Sequence, residues 1–582
     1  MYKKLFLTAA VVAACMHTNA QTIAPDYKGS GNNNPISANI FCADPTALEY
    51  NGRMYVYGSN DHQQFIANGK TGENNYGSIK SIVVFSTDDM VNWTFHGTID
   101  TQKLCSSWVT SPWYQGYGVS WAPSVTWRTT EDGTDEFFLY FCNSSHGIGV
   151  LKANSPIGPW KSPNNKLMIH RDTPGATPCS AVFDPGVVID ENGDGWLSFG
   201  GLDPVDGGNG LDPKNARIVK LKPSMTEIDG LPVRIIAPYH FEANELNIIG
   251  GKYVYTYCSN WAERTDADWN AYKQEHGISV SKPNTCTMCY MVSDDPTNPD
   301  SWVYKGVYGP HPGMGTNNNH SHLQKFQGDY YYIYHGAPLM ESWRNAGVID
   351  DKTSIFRSIC VNKATVNEST QTIKQVTPNL EGVTQIKNLN PYELQQAETM
   401  ASCGGVDYED FTNIKKNTKI NKLGNEVSEN MQVNMREGSW INVRSVDFGA
   451  GAEKFTVRAK GTGTLDIYFG SKPMRKPTTT MEFSSTEMED HTIEVDATKF
   501  KGVKNVCFLV SAGDDVFIDA WQFTEVGSGI HEMNIGNVKE KRSYDLSGRR
   551  LTGSNQHEGI VIEQYIDENG VKHSLKVLSG KE

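Results

Sequence analysis

The chain has 582 residues, more than one hydrophobic core supports, because cores stop growing near roughly 250–300 residues and longer chains divide. Its formal charge of −14 excludes nucleic-acid backbones and anionic membrane surfaces as partners, since both select clustered Lys and Arg, and points to a neutral substrate. With 13 Trp, 26 Tyr and 22 Phe among 54 glycines and short polar turns, the composition favours an all-β architecture.

At the N-terminus, Lys3 and Lys4 precede an apolar run from Leu5 to Met16 and the small-residue stretch Thr18-Asn19-Ala20. This reads as an export signal over residues 1–20, too short to span a bilayer. Val12-Ala13-Ala14-Cys15 also fits a lipoprotein box, so lipidation at Cys15 is the alternative to plain cleavage after Ala20. The mature chain is expected to be periplasmic, extracellular or outer-membrane-associated, monomeric and without integral membrane contact. Ten cysteines would remain, spread from Cys42 to Cys507 rather than packed as in a disulfide scaffold. Cys286 and Cys289 form a lone CxxC that reads as buried thiols or a local disulfide.

One pattern then recurs: a polar or aromatic residue, an apolar stretch, a Gly or Asn turn, and a dense aromatic strand. It opens at Asp44 (DPTALEYNGRMYVYGS), Trp121, Asp184 (DPGVVIDENGDGWLSFG), Glu242 (EANELNIIGGKYVYTYCS) and His320 (HSHLQKFQGDYYYIYH). The copies lie roughly sixty to eighty residues apart, the length of a four-stranded propeller blade with long loops. Five blades follow, with their opening residues converging on one axis. Three of those residues are carboxylates, which shifts them from turn caps toward a site. Asp190, Asn192 and Asp194 read as a polar hairpin turn, because no Glu closes a calcium loop.

Ala43-Asp44-Pro45, Ser120-Trp121-Ala122-Pro123, Phe183-Asp184-Pro185-Gly186, Phe241-Glu242-Ala243, Asn318-Asn319-His320 and Phe356-Arg357-Ser358 appear in an order that resembles glycoside hydrolase family 43 over residues 35–380. The resemblance implies a five-bladed β-propeller in which Asp44 is the general base, Glu242 the general acid and Asp184 the carboxylate that orients Glu242 and tunes its pKa. Inverting glycoside cleavage independently needs an acid on the leaving oxygen and a base on a water across the bond. Trp121 would form an apolar floor under the sugar, and Arg357 a donor fork to hydroxyls or carboxylates. His320 matches a substrate-side position often near a channel calcium. Asn244 stands where the family often has Pro, and Glu245 follows as a rival acid.

From Thr377 to Pro391 the chain reads as a linker. Residues 392–526 resemble a family 6 carbohydrate-binding module, a β-sandwich of jelly-roll type. The resemblance rests on Gln396-Ala397-Glu398, Gly438-Ser439-Trp440 and Ile518-Asp519-Ala520-Trp521. It implies a calcium held by Glu398 and Asp519, through the oxygen ligands this ion prefers. Asn434, Met435, Arg436 and Phe517 replace residues that such modules use on sugar, so this domain reads equally as a buttress. Residues 527–582 alternate like a short sheet and resemble a sorting appendage.

The expected activity is release of L-arabinofuranose from arabinoxylan-type polysaccharide, with no organic cofactor. A β-xylosidase is the same-chemistry alternative, decided by loops such as His62 to Ser81. A non-catalytic carbohydrate-binding propeller is the alternative of another class, and a fructan-cleaving enzyme would need a different motif at Asp44.

Overall fold

The computed structural model describes residues 23–29, 31–105, 118–164, 166–311, 318–406, 432–474 and 476–527, with further strands between 538 and 579; the export segment and Cys15 lie outside them. Five antiparallel sheets form a β-propeller. Blade I contains Ala43–Tyr50, Arg53–Ser59, Ser81–Thr87 and Trp93–Asp100, and blade II contains Trp121–Thr129, Asp135–Cys142, Gly147–Ala153 and Ile169–His170. Blade III runs from Gly186–Ile189 through Gly195–Phe199 and Ala216–Leu221 to Ile228–Ile235. Blade IV runs from His240–Ile249 through Lys252–Ser259 and Met288–Ser293 to Val303–Gly309. Blade V has Ser321–Phe326, Asp329–Gly336 and Ser358–Ala364. Its outer edge is covered by the chain entering blade I: Ile36 N donates to Ile359 O at 2.9 Å, and Val361 N to Asn34 Oδ1 at 2.8 Å.

Apolar alternation on each strand buries side chains between blades. Leu48, Tyr57, Val125 and Phe137 fill the seam between blades I and II, and Phe138, Tyr140, Val187 and Leu197 that between II and III. Trp196, Ile218, Leu246 and Tyr255 do the same between III and IV, and Val254, Tyr290, Leu323 and Tyr332 between IV and V.

The inner strands of blades I to IV share one backbone device. Asp44 (φ 49°), Ala122 (φ 45°), Asp184 (φ 47°) and Ala243 (φ 61°) all sit in the left-handed region, and register shifts follow in the first strands of blades I, II and IV. Such a bulge adds a residue and turns a side chain toward the axis. The residues that open the five repeats are therefore not all in register. Asp44 and Asp184 occupy the left-handed position, whereas Trp121 and Glu242 precede it by one. Gly186 follows this device in blade III because a Cβ there would meet Glu245 Cα at 2.5 Å and Asn244 O at 2.6 Å.

The stretch from His62 to Ser81, read as a blade-connecting loop, is an insertion within blade I that starts with the helix Asp61–Ala67. Asp190 closes the expected polar turn: Oδ1 accepts from Asn192 N and Asp194 N at 2.9 and 3.0 Å, and Oδ2 from Trp196 Nε1 at 3.0 Å. All ten described cysteines are buried and free.

The second sheet is the expected β-sandwich, ordered Gln395–Gln396, Val516–Glu525, Ala452–Phe469, Val503–Ala512, Trp440–Asp447, Ser402–Gly404, with Thr479–Glu494 paired to Ala452–Phe469. It does not stand apart from the propeller, because the described chain up to Thr524 forms one compact unit. Thr399–Met400 pairs with Trp93–Thr94 as a fifth strand of blade I. The expected linker is packed as well: Gln385 Nε2 donates to Asp89 Oδ2 at 2.9 Å, and Leu389 N to Ser445 O at 2.9 Å. A second unit, Glu525–Glu582, carries an antiparallel four-stranded sheet of Val538–Tyr544, Arg550–Leu551, Gly559–Asp567 and Lys572–Ser579. No helix among the described residues is long and apolar enough to cross a membrane.

Candidate active site

Asp44, Trp121, Asp184, Glu242, His320 and Arg357 all line one cavity of about 170 Å³. Drug-sized ligands need roughly 300–1,000 Å³, so this cavity is on the scale of a single small ring. The left-handed residues bring the first carboxylates there, and the one-residue offset in blades II and IV supplies Trp121 and Glu242.

The three carboxylates sit in opposed electrostatic settings. Burial alone would raise the pKa of Asp44, but Arg357, followed by His335 and His320, outweighs it and holds the group well below the ordinary carboxylate range. Arg357 Nη1 donates to Asp44 Oδ1 at 2.7 Å, His335 Nδ1 lies 3.4 Å and His320 Nδ1 3.8 Å from the same oxygen, and Asp44 N donates to His335 Nδ1 at 3.0 Å. Glu242 keeps part of its surface open, yet burial by the surrounding protein and the charges of Asp184 and Asp44 push its pKa well above the ordinary value. Asp184 is raised too, by burial and then by Asp44. It is held beside Glu242 because Ala243 N donates to its Oδ2 at 2.9 Å. The site therefore pairs a carboxylate held ionised with a carboxyl group held protonated, the division of labour that acid–base hydrolysis requires.

Trp121 is fixed by donation from its Nε1 to Tyr76 O at 3.0 Å. Arg357 gives Nε and Nη2 to Asp61 at 2.9 and 2.8 Å, so its fork is committed to carboxylates, and one remaining N–H on each terminal nitrogen can meet a hydroxyl. The rival glutamate, Glu245, does not line the cavity. It is fully buried, with Oε2 accepting from Ser124 Oγ at 3.1 Å and Oε1 3.3 Å from His322 Nδ1.

The cavity also takes Tyr76, Phe183, Leu202, Asn318 and Asn319, which sequence reasoning did not single out as site residues. Phe183, Asn318 and Asn319 lay inside recognised motifs. Tyr76 and Leu202 sit in irregular insertions without periodicity, so no sequence signal marks them.

For calcium, the donor sets differ. No cluster of three His, Cys, Asp or Glu side chains suited to a metal occurs among the described residues. His320 is 3 % exposed, its pKa is lowered by burial to about 3, and its Nε2 has no hydrogen-bond partner. A neutral imidazole of this kind fits a hydrated ion through water better than a direct calcium bond. In the sandwich, Glu398 is buried with Oε1 lacking a hydrogen-bond partner, and Asp519 Oδ2 lies 3.4 Å from Arg458 Nε. These oxygens fit calcium if backbone carbonyls complete the shell.

Residues 32–347 match the family model for glycosyl hydrolases family 43, and residues 396–525 that for carbohydrate binding module family 6. The chain is 35% identical over 521 residues to an arabinoxylan arabinofuranohydrolase of Bacillus subtilis (strain 168), covering 87% of this chain and 95% of that protein. It is 32% identical over 543 residues to an arabinoxylan arabinofuranohydrolase of Paenibacillus polymyxa, covering 89% and 79% respectively. A solved Bacillus subtilis family 43 arabinoxylan arabinofuranohydrolase in complex with cellotetraose superposes with a TM-score of 0.73 at 34% identity, covering 87% of this chain and 99% of that one.

Proposed function

The chain belongs to glycosyl hydrolase family 43 and is a glycosidase; we propose that it releases L-arabinofuranose side groups from arabinoxylan-type plant polysaccharide with inversion at the anomeric carbon. The observation that carries this reading is the split of ionisation within one pentose-sized cavity: Asp44 is held charged by Arg357, and Glu242 is held protonated by burial and two neighbouring carboxylates. Its similarity over most of its length to two arabinoxylan arabinofuranohydrolases supports the choice of sugar and polymer.

In this mechanism the sugar ring rests against Trp121. Asp44 takes a proton from water as that water attacks the anomeric carbon, and Glu242 gives its proton to the departing backbone oxygen. Asp184, held in place by Ala243 N, keeps Glu242 protonated before the step. The basic and apolar N-terminus supports export to where such polymers are met.

The test is release of sugar from arabinoxylan, nitrophenyl arabinofuranoside and nitrophenyl xyloside, with the anomeric configuration followed by NMR. Arabinose should be the main product and should first appear with inverted configuration. Glu242→Ala should lose about 10²–10⁴-fold on arabinoxylan, and less on the nitrophenyl substrate, whose leaving group departs without a proton. Faster release of xylose would transfer the reading to a β-xylosidase, and retained configuration would remove Asp44 from the role of base.

A further inference from the structure

We propose that Asp61 is a positioning residue of this hydrolytic site, acting through Arg357 to aim Asp44. The inference deepens the reading above and rests on it. Asp61 is fully buried and opens the blade I helix, with Asn60 as its cap. Its Oδ2 accepts from Arg357 N at 3.0 Å and Nε at 2.9 Å, and its Oδ1 from Arg357 Nη2 at 2.8 Å. A two-point fork of this kind fixes the plane of the guanidinium as well as its position. With Nε and Nη2 fixed, the third nitrogen, Nη1, has one place to point, and it meets Asp44 Oδ1 at 2.7 Å. Arg357, His335 and His320 all approach Asp44 on Oδ1, so Oδ2 is the oxygen left to activate water.

The same carboxylate also anchors the aromatic side of the cavity. Asn74 Nδ2 donates to Asp61 Oδ2 at 3.0 Å, and Asn74 Oδ1 accepts from Tyr76 N at 2.9 Å. Tyr76 is thereby held in the left-handed region (φ 62°), with its ring face 5.0 Å from the Arg357 guanidinium carbon and its carbonyl on the Trp121 indole. Blade V braces this insertion through Asn74 N to Ser354 O at 3.1 Å. Asp61 does not line the cavity, yet the base and the apolar floor both hang from it.

A purely structural role, neutralising the buried Arg357, predicts a different outcome from positioning. Asp61→Glu keeps the charge and therefore the neutralisation, but its extra methylene displaces the fork. Positioning predicts that Asp61→Glu loses about tenfold or more in kcat on nitrophenyl arabinofuranoside with KM held within about threefold, since displacements near 1 Å can cost as much as a hundredfold. Asp61→Asn should lose at least as much. In an Arg357→Gln background, either change at Asp61 should cost less than about twofold more, because residues acting through one another do not add. Near-normal kcat in Asp61→Glu, or losses that multiply in the double variant, would overturn the proposal. If Asp61→Asn unfolds below the assay temperature, the charge-preserving Asp61→Glu still decides. A wild-type protein that releases no pentose would instead sink the functional reading and leave the inference without a reaction.

Discussion

A carboxyl group crowded by two other carboxyls is the last of the three to give up its proton, and Glu242 occupies that place. Its raised pKa keeps the acid form through neutral pH, so activity that depends on donation is lost as pH rises through that pKa, and an alkaline limb belongs to Glu242. Asp44 has the opposite sign: its lowered pKa means that the base is already ionised well below neutral pH. Replacing Asp184 by Asn removes a like charge next to Glu242 while keeping the shape of the side chain. The alkaline limb of kcat/KM should then move to lower pH by on the order of one unit. A limb that stays in place would mean that Asp184 only orients the acid. These roles follow residue types that the repeat displays openly in the sequence. The tuning partners do not show themselves there: Asp61 and His335 meet Asp44 or its arginine from about 300 residues away in some cases, as with the Asp61–Arg357 separation of 296.

At the level of the element, the left-handed residue at the head of the inner strand in blades I to IV is what turns a β-hairpin repeat into a site. The hairpins themselves are legible in the sequence, because period-two aromatic strands and Gly or Asn turns need only local chemistry. The one-residue offset between blades is not, since it depends on which residue takes the left-handed conformation. Ordinary residues enter that region at a cost of about 1–2 kcal/mol, so the surroundings must hold them there. In blade IV that holding falls to Asn244, which stands where blades I to III have Pro45, Pro123 and Pro185. It is fully buried, and its Nδ2 donates to Asp184 O at 3.0 Å and Gly200 O at 2.8 Å, while its Oδ1 accepts from the Tyr255 hydroxyl. The departure from the usual Pro is therefore a latch between blades III and IV. Asn244→Ala would strand two buried carbonyls and a tyrosine hydroxyl, at a cost of about 2–4 kcal/mol. Thermal melting should show the loss, and kcat should fall with it, because the latch holds the backbone of both Asp184 and the residue after Ala243. A variant that melts normally and turns over normally would show that the bulge holds itself.

Across the whole molecule, the seam between propeller and sandwich is the feature least visible in sequence. Both folds can be read from their own motifs, but the strand Thr399–Met400 is two residues long, and its partner Thr94 is 305 residues away, so neither periodicity nor spacing announces the pairing. The seam is nonetheless continuous. Thr94 and Thr399 share a hydrogen bond of 2.7 Å between their hydroxyls, Arg444 N donates to Asn92 Oδ1 at 2.8 Å, and Trp93 packs in one cluster with Met400, Val443 and Trp521. Glu398 stands at the head of this strand, 2 % exposed, its pKa pushed far up by burial and then by Asp519. A buried carboxylate in that state must take either a proton or a cation to avoid a heavy desolvation cost. If calcium is the answer, it acts at the edge of blade I as well as inside the sandwich, and its effect should reach the catalytic domain. Calcium at about 100 times its Kd would add about 2.7 kcal/mol to the folded state. The melting temperature of the chelated protein should then rise by several degrees on adding calcium, in one transition that carries heat inactivation of the glycosidase with it. Glu398→Gln should abolish the response to calcium and raise the melting temperature of the chelated protein, since a glutamine needs neither a proton nor a cation to be buried. Two separate transitions, with activity surviving the first, would show that the propeller stands without the seam.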